Sequence, residues 1–247
     1  MGDRHFGHVD REFVRDLERT PANDDGAIWV AHLAKRQGFH PPAAALDQVG
    51  SEIVLQGVVV AQPYGDDTRW AHTAIVKYPT RRSFVDLTRR TPLLLPAAEQ
   101  PEIIISCIPT PKMYTAPDLD PPPWAGVAHP ATDEDSPVVV MHVIRHSDAA
   151  HTPDEHAVYN RLLANASIPH GARATRWFAA EGTILGDGRD WDDVRITAYP
   201  SCASYLAVID ELERDAEYCD HRQRLIADQY SVVIRPTIDR IVRSISH

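Results

Sequence analysis

The chain has 247 residues, 43% hydrophobic and 24% charged, which is enough to bury a sizeable core and too apolar for wholesale disorder. Its formal net charge of −10 argues against nucleic acid or an anionic membrane surface as the main partner, because both reward basic patches. No apolar run approaches the roughly 20 residues of a membrane span, and the polar start MGDRHFGHVDREF has no signal-peptide core, so a cytoplasmic protein is expected.

In chain order, a first helix is expected over 10–19, DREFVRDLER. Apolar, β-branched runs of strand length then follow at 27–35, 52–62, 70–78 and 103–109. A short helix fits around 41–49, and Thr80 opens another that turns Phe84 and Leu87 inward. The stretch 109–137 is Pro-rich with an acidic end and reads as an extended linker. Beyond it come strands at 137–145, 173–183, 191–199 and 230–235. One helix begins at the capping box of Thr152, Pro153 and Glu155, and another at Ser201 after Pro200. Further helices are expected over 216–228 and from about 237.

The two halves repeat one another. WAHTAIVKYPTRRSF (70–84) and WDDVRITAYPSCASY (191–205) share Trp, Tyr-Pro, Ser and a closing aromatic at an offset of 121 residues. At the same offset 52–62 falls on 173–183; at 110, AIWVAHLAKR (27–36) falls on PVVVMHVIRH (137–146) and sets His32 on His142. IIISCIPTP (103–111) resembles YSVVIRPTI (230–238), so the order of matching segments is kept throughout. Each half therefore reads β-α-β-β-α-β, the ferredoxin-like arrangement. The implied domains are 1–112, a linker over 113–136, and 137–247.

These residues resemble the dimeric α+β barrel superfamily. The second half in particular is similar to a small uncharacterised family of it, through Tyr199-Pro200 with Ser201 and Tyr205, the run Asp215-Ala216-Glu217-Tyr218, and Arg222 and Arg224 before a last strand. His142 stands where that family more often has Asn. The resemblance implies an α+β fold in which two tandem ferredoxin-like units form a fused dimeric α+β barrel, with a homodimer also compatible. Relatives in the superfamily include cofactor-free monooxygenases, muconolactone-type isomerases, heme-degrading monooxygenases and chlorite dismutases, and fold alone transmits none of these activities.

Strand alternation puts Trp70, His72, Ala74, Val76 and Tyr78 on one face, and Trp191, Asp193, Arg195, Thr197 and Tyr199 on its counterpart. The opposite faces, bearing Ile75 and Ile196, suit packing under helices, so the Trp/Tyr faces are expected to line a cavity. Positions that differ between the halves mark chemistry: His72 is matched by Asp193, and Ala74 by Arg195. The expected function is a small-molecule enzyme, an isomerase or cyclase or a cofactor-free monooxygenase. In it His142 or His32 transfers a proton, Asp193 orients the histidine and Arg195 holds an anionic oxygen. Trp191, Tyr199, Trp70, His72 and Tyr78 would bind substrate. A core role for the paired aromatics and histidines, and a rim ion pair for Asp193–Arg195, are the plain structural readings of the same residues.

No cofactor and no metal are expected. Cys107, Cys202 and Cys219 have no zinc spacing, His142 and His146 lie roughly 13 Å apart on a strand, and GDGRDWDD (186–193) reads as a turn rather than a calcium loop. His146, His151 and His156 are expected to face solvent. Heme held by a strand or loop histidine is the alternative, and a non-catalytic assembly module with a large exposed apolar patch is the third reading.

Overall fold

The structure, a computed structural model, describes residues 6–19, 26–35, 43–90, 102–110, 124, 126–148 and 153–241. The strands of the first half are β1 (His8–Val9), β2 (Ile28–Ala34), β3 (Glu52–Tyr64), β4 (His72–Tyr78) and β5 (Glu102–Thr110). Those of the second are β6 (Val138–His146), β7 (Arg173–Gly186), β8 (Asp193–Tyr199) and β9 (Ile226–Asp239). The helices are α1 (Arg11–Arg19), α2 (Ala43–Asp47), α3 (Arg81–Arg90), α4 (Pro153–Ser167), α5 (Cys202–Arg214) and α6 (Ala216–Leu225).

Every strand run read from the sequence is a strand here. The last is longer than expected: the segment thought to stay helical to 228 leaves the helix at Leu225, and Ile226 already belongs to β9. Residues 237–239, where a C-terminal helix was expected to begin, are the end of that strand, and 242–247 lie outside the described residues. Thr152, the expected cap of α4, also lies outside them.

The helix starts follow the capping logic of their sequence. Thr80 Oγ1 accepts the Ser83 amide at 3.0 Å, and Ser201 Oγ accepts the Ser204 amide at 3.0 Å. Asp135 adds a carboxylate to the first turn of α5, accepting the Cys202 and Ala203 amides at 2.9 Å each. Asp215 caps α6 through the Glu217 and Tyr218 amides.

The strands pair antiparallel in the order β7-β5-β2-β4-β3-β9-β6-β8, and β8 returns to β7, closing an eight-stranded barrel with β1 attached outside β7. The first half contributes β5-β2-β4-β3 and the second β9-β6-β8-β7, which is the same succession of its own first to fourth strands. Closure through β3–β9 and β5–β7 removes the sheet edges.

The two faces of the sheet are reversed from the sequence expectation. Ile75, Ile196, Ile105, Met141 and Val232 fill the barrel, as side chains do in barrels of this strand number. Val76, Tyr78, Phe84 and Leu87 form the layer beneath the first half's helices. Val138, Tyr199, Tyr205, Val208 and Tyr218 form the second half's layer. The reason lies in the closure. Aliphatic faces of both halves meet in the narrow interior, while the tyrosines keep room under helices that cross the sheet at a distance.

Among the described residues no helix is long and apolar enough to cross a membrane. The exposed large hydrophobics, Val58, Val60, Ile108, Ile168 and Leu206, are spread over β3, β5, α5 and the 3-10 turn Ile168–His170.

Candidate functional site

One row of outward-facing residues crosses the second half. Tyr64 pairs with Ser231 across β3–β9, Ser231 with His142 across β9–β6, His142 with Arg195 across β6–β8, and Arg195 with Trp177 across β8–β7. Tyr64 reaches this row from the other half because β3 runs 13 residues and overshoots its own sheet. Helices α4, α5 and α6 roof the row and leave a cavity lined also by Tyr159, Tyr199, Tyr205 and Tyr218, with Ile144, Leu163, Ile209 and Leu212 as its aliphatic wall. The free space at its centre is about 30 Å³, the room of one water molecule.

His142 lies deep, with its ring reached from this cavity. Burial first, and then the Arg195 charge, hold its pKa at about 3, so the ring is neutral near neutral pH. Its Nδ1 lies 2.9 Å from Ser231 Oγ. Gln229 Nε2 donates to the same hydroxyl at 2.7 Å and stands 3.5 Å from the His142 Nδ1. Arg222 in turn donates to Gln229 Oε1 at 3.2 Å and stacks over the Tyr64 ring at 4.4 Å. Burial raises the Tyr64 hydroxyl to about 12 despite that neighbouring charge. The Tyr205 hydroxyl is buried in the cavity wall with no hydrogen-bond partner among the described residues.

Arg195 is pinned. It donates to Asp193 Oδ2 from Nε at 3.2 Å and from an Nη at 2.6 Å, and to Asn160 Oδ1 at 3.2 Å, with its guanidinium 4.3 Å from the Trp177 ring centre. These bonds use three of its five N–H groups. Burial pushes the Asp193 carboxyl up, but bonds from His146 and Arg195 outweigh it and leave its pKa below the usual value.

The sequence-derived site is therefore partly assembled and partly dispersed. His142, Arg195 and Tyr199 line the cavity, and Asp193 stands directly behind Arg195. Asp193 does not orient His142: it holds His146 Nε2 at 3.0 Å, and Ser231 takes the place expected for it beside His142. The Asp193–Arg195 pair is not a rim pair, since the Arg195 side chain is 7% exposed.

His32 is on the outer face of the first half, buried, with its pKa lowered to about 4 by burial. It does not meet His142: His32 lies opposite Ala74 and Ile104, and His142 opposite Arg195 and Ser231. Trp70 and Trp191 turn into the barrel, where both pack on Tyr230 at 5.4 Å. They precede β4 and β8, so the strand alternation that placed them does not reach them. Tyr78 packs on Phe84 in the first half's layer, and His72 starts β4.

His146 is bonded to Asp193 rather than turned to solvent, its ring edge-on to His156 at 5.1 Å. The turn at 186–189 is a turn, with Gly188 at φ 84°, but its arginine is more than loop. Arg189 enters the barrel end, bonded to Asp187, Asp228, Asp66 and the Tyr230 hydroxyl. Among the described residues no group of three or more His, Cys, Asp or Glu is arranged to hold a metal ion.

None of Ser231, Gln229, Arg222 and Tyr205 is assigned to a site from the sequence, although Tyr205 and Arg222 are among the residues that carry the resemblance. A signal for two of them was present: in the repeat, Ser231 replaces Ile104 and Tyr205 replaces Phe84.

No protein-family model matches the chain, and no curated protein matches it. Solved structures do. A protein of unknown function from Rhodopseudomonas palustris is 25% identical, matching 41% of this chain and 83% of its own, with a TM-score of 0.34. Chlorite dismutase from Candidatus Nitrospira defluvii matches 96% of this chain and 99% of its own at 10% identity and a TM-score of 0.49. A heme-binding protein from Thermus thermophilus matches 90% of this chain and 97% of its own at 9% identity and a TM-score of 0.43. The neighbours are thus chlorite dismutase-like, and the likeness is one of fold. Against the expectation of a protein without a cofactor, one of these neighbours is itself described as heme-binding.

Proposed function

We propose that the second half's layer between sheet and helices is a ligand pocket for a flat, mainly apolar organic molecule, with His142 and Arg195 as its polar contacts. The observation that carries this reading is the row itself. A neutral histidine and a pinned arginine stand side by side under a tyrosine and aliphatic roof, at the positions where the first half has His32 and Ala74. Pockets of this kind combine apolar walls with a few placed polar groups. Acid–base chemistry on the bound molecule would fall to His142, with Arg195 facing an oxygen.

The barrel is read as two copies of one βαββαβ unit in a single chain. Support comes from register as well as order. Leu185, Ile104, His32, Ala74 and Gln56 pair in the same row of the first half as Tyr64, Ser231, His142, Arg195 and Trp177 in the second.

Heme is the second reading, favoured by the cavity's histidine and by the name of the Thermus neighbour. Either ligand needs the roof to open, since the central space is about 30 Å³; a porphyrin would have to part the tyrosine wall much further than a single small ring. Titration with hemin decides between the two. A Soret band that shifts on binding and is lost in His142→Ala, with the fold retained by circular dichroism, would establish heme. Hemin left at its free spectrum leaves the organic ligand.

A further inference from the structure

The hydrogen bonds behind His142 run in one direction. An arginine only donates, so the Gln229 atom that Arg222 meets at 3.2 Å is the amide oxygen, and this fixes the amide's orientation. The Gln229 NH₂ group then faces Ser231 Oγ at 2.7 Å and His142 Nδ1 at 3.5 Å. Ser231 is fully buried and accepts from Gln229. Its own proton has one acceptor within hydrogen-bond geometry among the described residues, the Nδ1 of His142 at 2.9 Å. The Tyr205 hydroxyl nearby lies outside such geometry. Placing the imidazole proton on Nδ1 would make the serine oxygen accept twice and leave the serine proton without an acceptor in a fully buried site, a loss of the kind buried polar groups avoid.

We infer that Arg222, Gln229 and Ser231 hold His142 with its proton on Nε2, so that His142 and Arg195 present adjacent N–H donors to the cavity and select a ligand bearing an acceptor oxygen such as a ketone. The inference rests on the pocket reading for its ligand class, though not for the tautomer. Arg195 supports it: three of its N–H groups are taken by Asp193 and Asn160, and the remaining two have no acceptor among the described residues. His142 and Arg195 are directly opposite on β6 and β8, a spacing of roughly 5 Å between Cβ atoms. The charge of Arg195 is balanced by Asp193, so the acceptor need not be an anion. A site of buried donors rejects the isostere that lacks the acceptor, because the donors would be left unpaired. The same tautomer works against iron at Nε2, since a histidine that binds metal through one nitrogen keeps its proton on the other.

The tautomer is read on the ligand-free protein by long-range proton–nitrogen correlation spectra of the imidazoles, assigned with His142→Gln. The expected result is a protonated Nε2 and a bare Nδ1. Gln229→Glu replaces the donor by an acceptor of the same shape, turns the Ser231 hydroxyl toward it, and should move the proton to Nδ1. A proton on Nδ1 in the parent protein, or no change in Gln229→Glu, overturns the assignment. The ligand class is read by titrating acetophenone against α-methylstyrene, its isostere with CH₂ for the oxygen. Acetophenone should bind at least about tenfold tighter, with shifts at His142, and Gln229→Glu should reduce that ratio. Equal binding overturns the acceptor class. Binding of neither removes the pocket reading and the class with it, while the tautomer is judged on its own spectra.

Discussion

His32 and His142 occupy the same station in two halves of one barrel, each on the outer face, on the first strand of its half, and paired at equivalent register. His32 lies opposite Ala74 and Ile104; His142 lies opposite Arg195 and Ser231. The His142 ring is bonded to Ser231 and lies beside Arg195, and burial keeps both rings neutral. That shared burial has a consequence for acid stability. The unfolded chain takes up protons at both histidines below about pH 6.5, while the folded protein does not until about 4 at His32 and about 3 at His142. The unfolded state binds more protons in that window, so stability rises with pH across it and is lost as pH falls from 6.5. Unfolding free energies from urea titrations between pH 7 and 4.5 should decline by at most about 1.4 kcal/mol per pH unit for each histidine. His32→Gln and His142→Gln should each flatten the decline. Asp66 and Asp193, held below the ordinary value of 3.8, add their share only at lower pH.

The Arg195 anchor can be broken from either end. Arg195→Leu leaves the buried side of Asp193 and the Asn160 amide without their donor, and should lower stability by about 3 kcal/mol. Arg195→Leu with Asp193→Leu removes both charges and should recover much of that loss, because an ion pair is costly mainly when one partner is left alone. Thermal unfolding of the four members of this cycle measures the coupling. Additive losses would mean that the pair is solvated and contributes little.

The backbones of the two halves come close at Gly57, on the β3–β9 seam. A Cβ there would run into the Ile234 side chain and the Arg235 backbone oxygen, and the latter cannot move without shifting β9. Gly57→Ala should therefore cost about 1–3 kcal/mol, through overpacking rather than through backbone conformation. Limited proteolysis should then cut the region between β5 and β6 earlier than in the parent chain, since opening this seam loosens the closure of the barrel.

Strand positions were legible because β-branched runs bounded by turn residues leave little else for the chain to form. The recurrence of Trp, Tyr-Pro and Ser in order is visible in the sequence itself. Which face points inward was not legible. Alternation separates two faces without naming them, and Ile75 and Tyr78 could each have been buried on either side; only closure, with two aliphatic faces meeting, decides it. Arg195 stood out as a charge where the other half has alanine. Ser231 and Gln229 did not, since a serine and a glutamine in a last strand carry meaning only once Arg222 and His142 are known to flank them. Tyr64 could not be found from its own half, because its role depends on β3 overshooting into the other one.

Tyr205 separates a ligand pocket from a merely imperfect core. Its hydroxyl is buried with no partner among the described residues, and the matched position of the first half is Phe84, which packs the same layer without a hydroxyl. An unpaired buried hydroxyl costs stability, so Tyr205→Phe should be neutral or stabilising by up to about 1 kcal/mol in the ligand-free protein. If the hydroxyl is kept for a bound molecule, the same change should weaken acetophenone binding several-fold while the melting temperature holds or rises, the trade expected at a binding site. Calorimetric melting and titration on the one variant give both numbers. A lower melting temperature with unchanged binding would mean that the hydroxyl is satisfied in the folded protein by a bound water and serves the core alone.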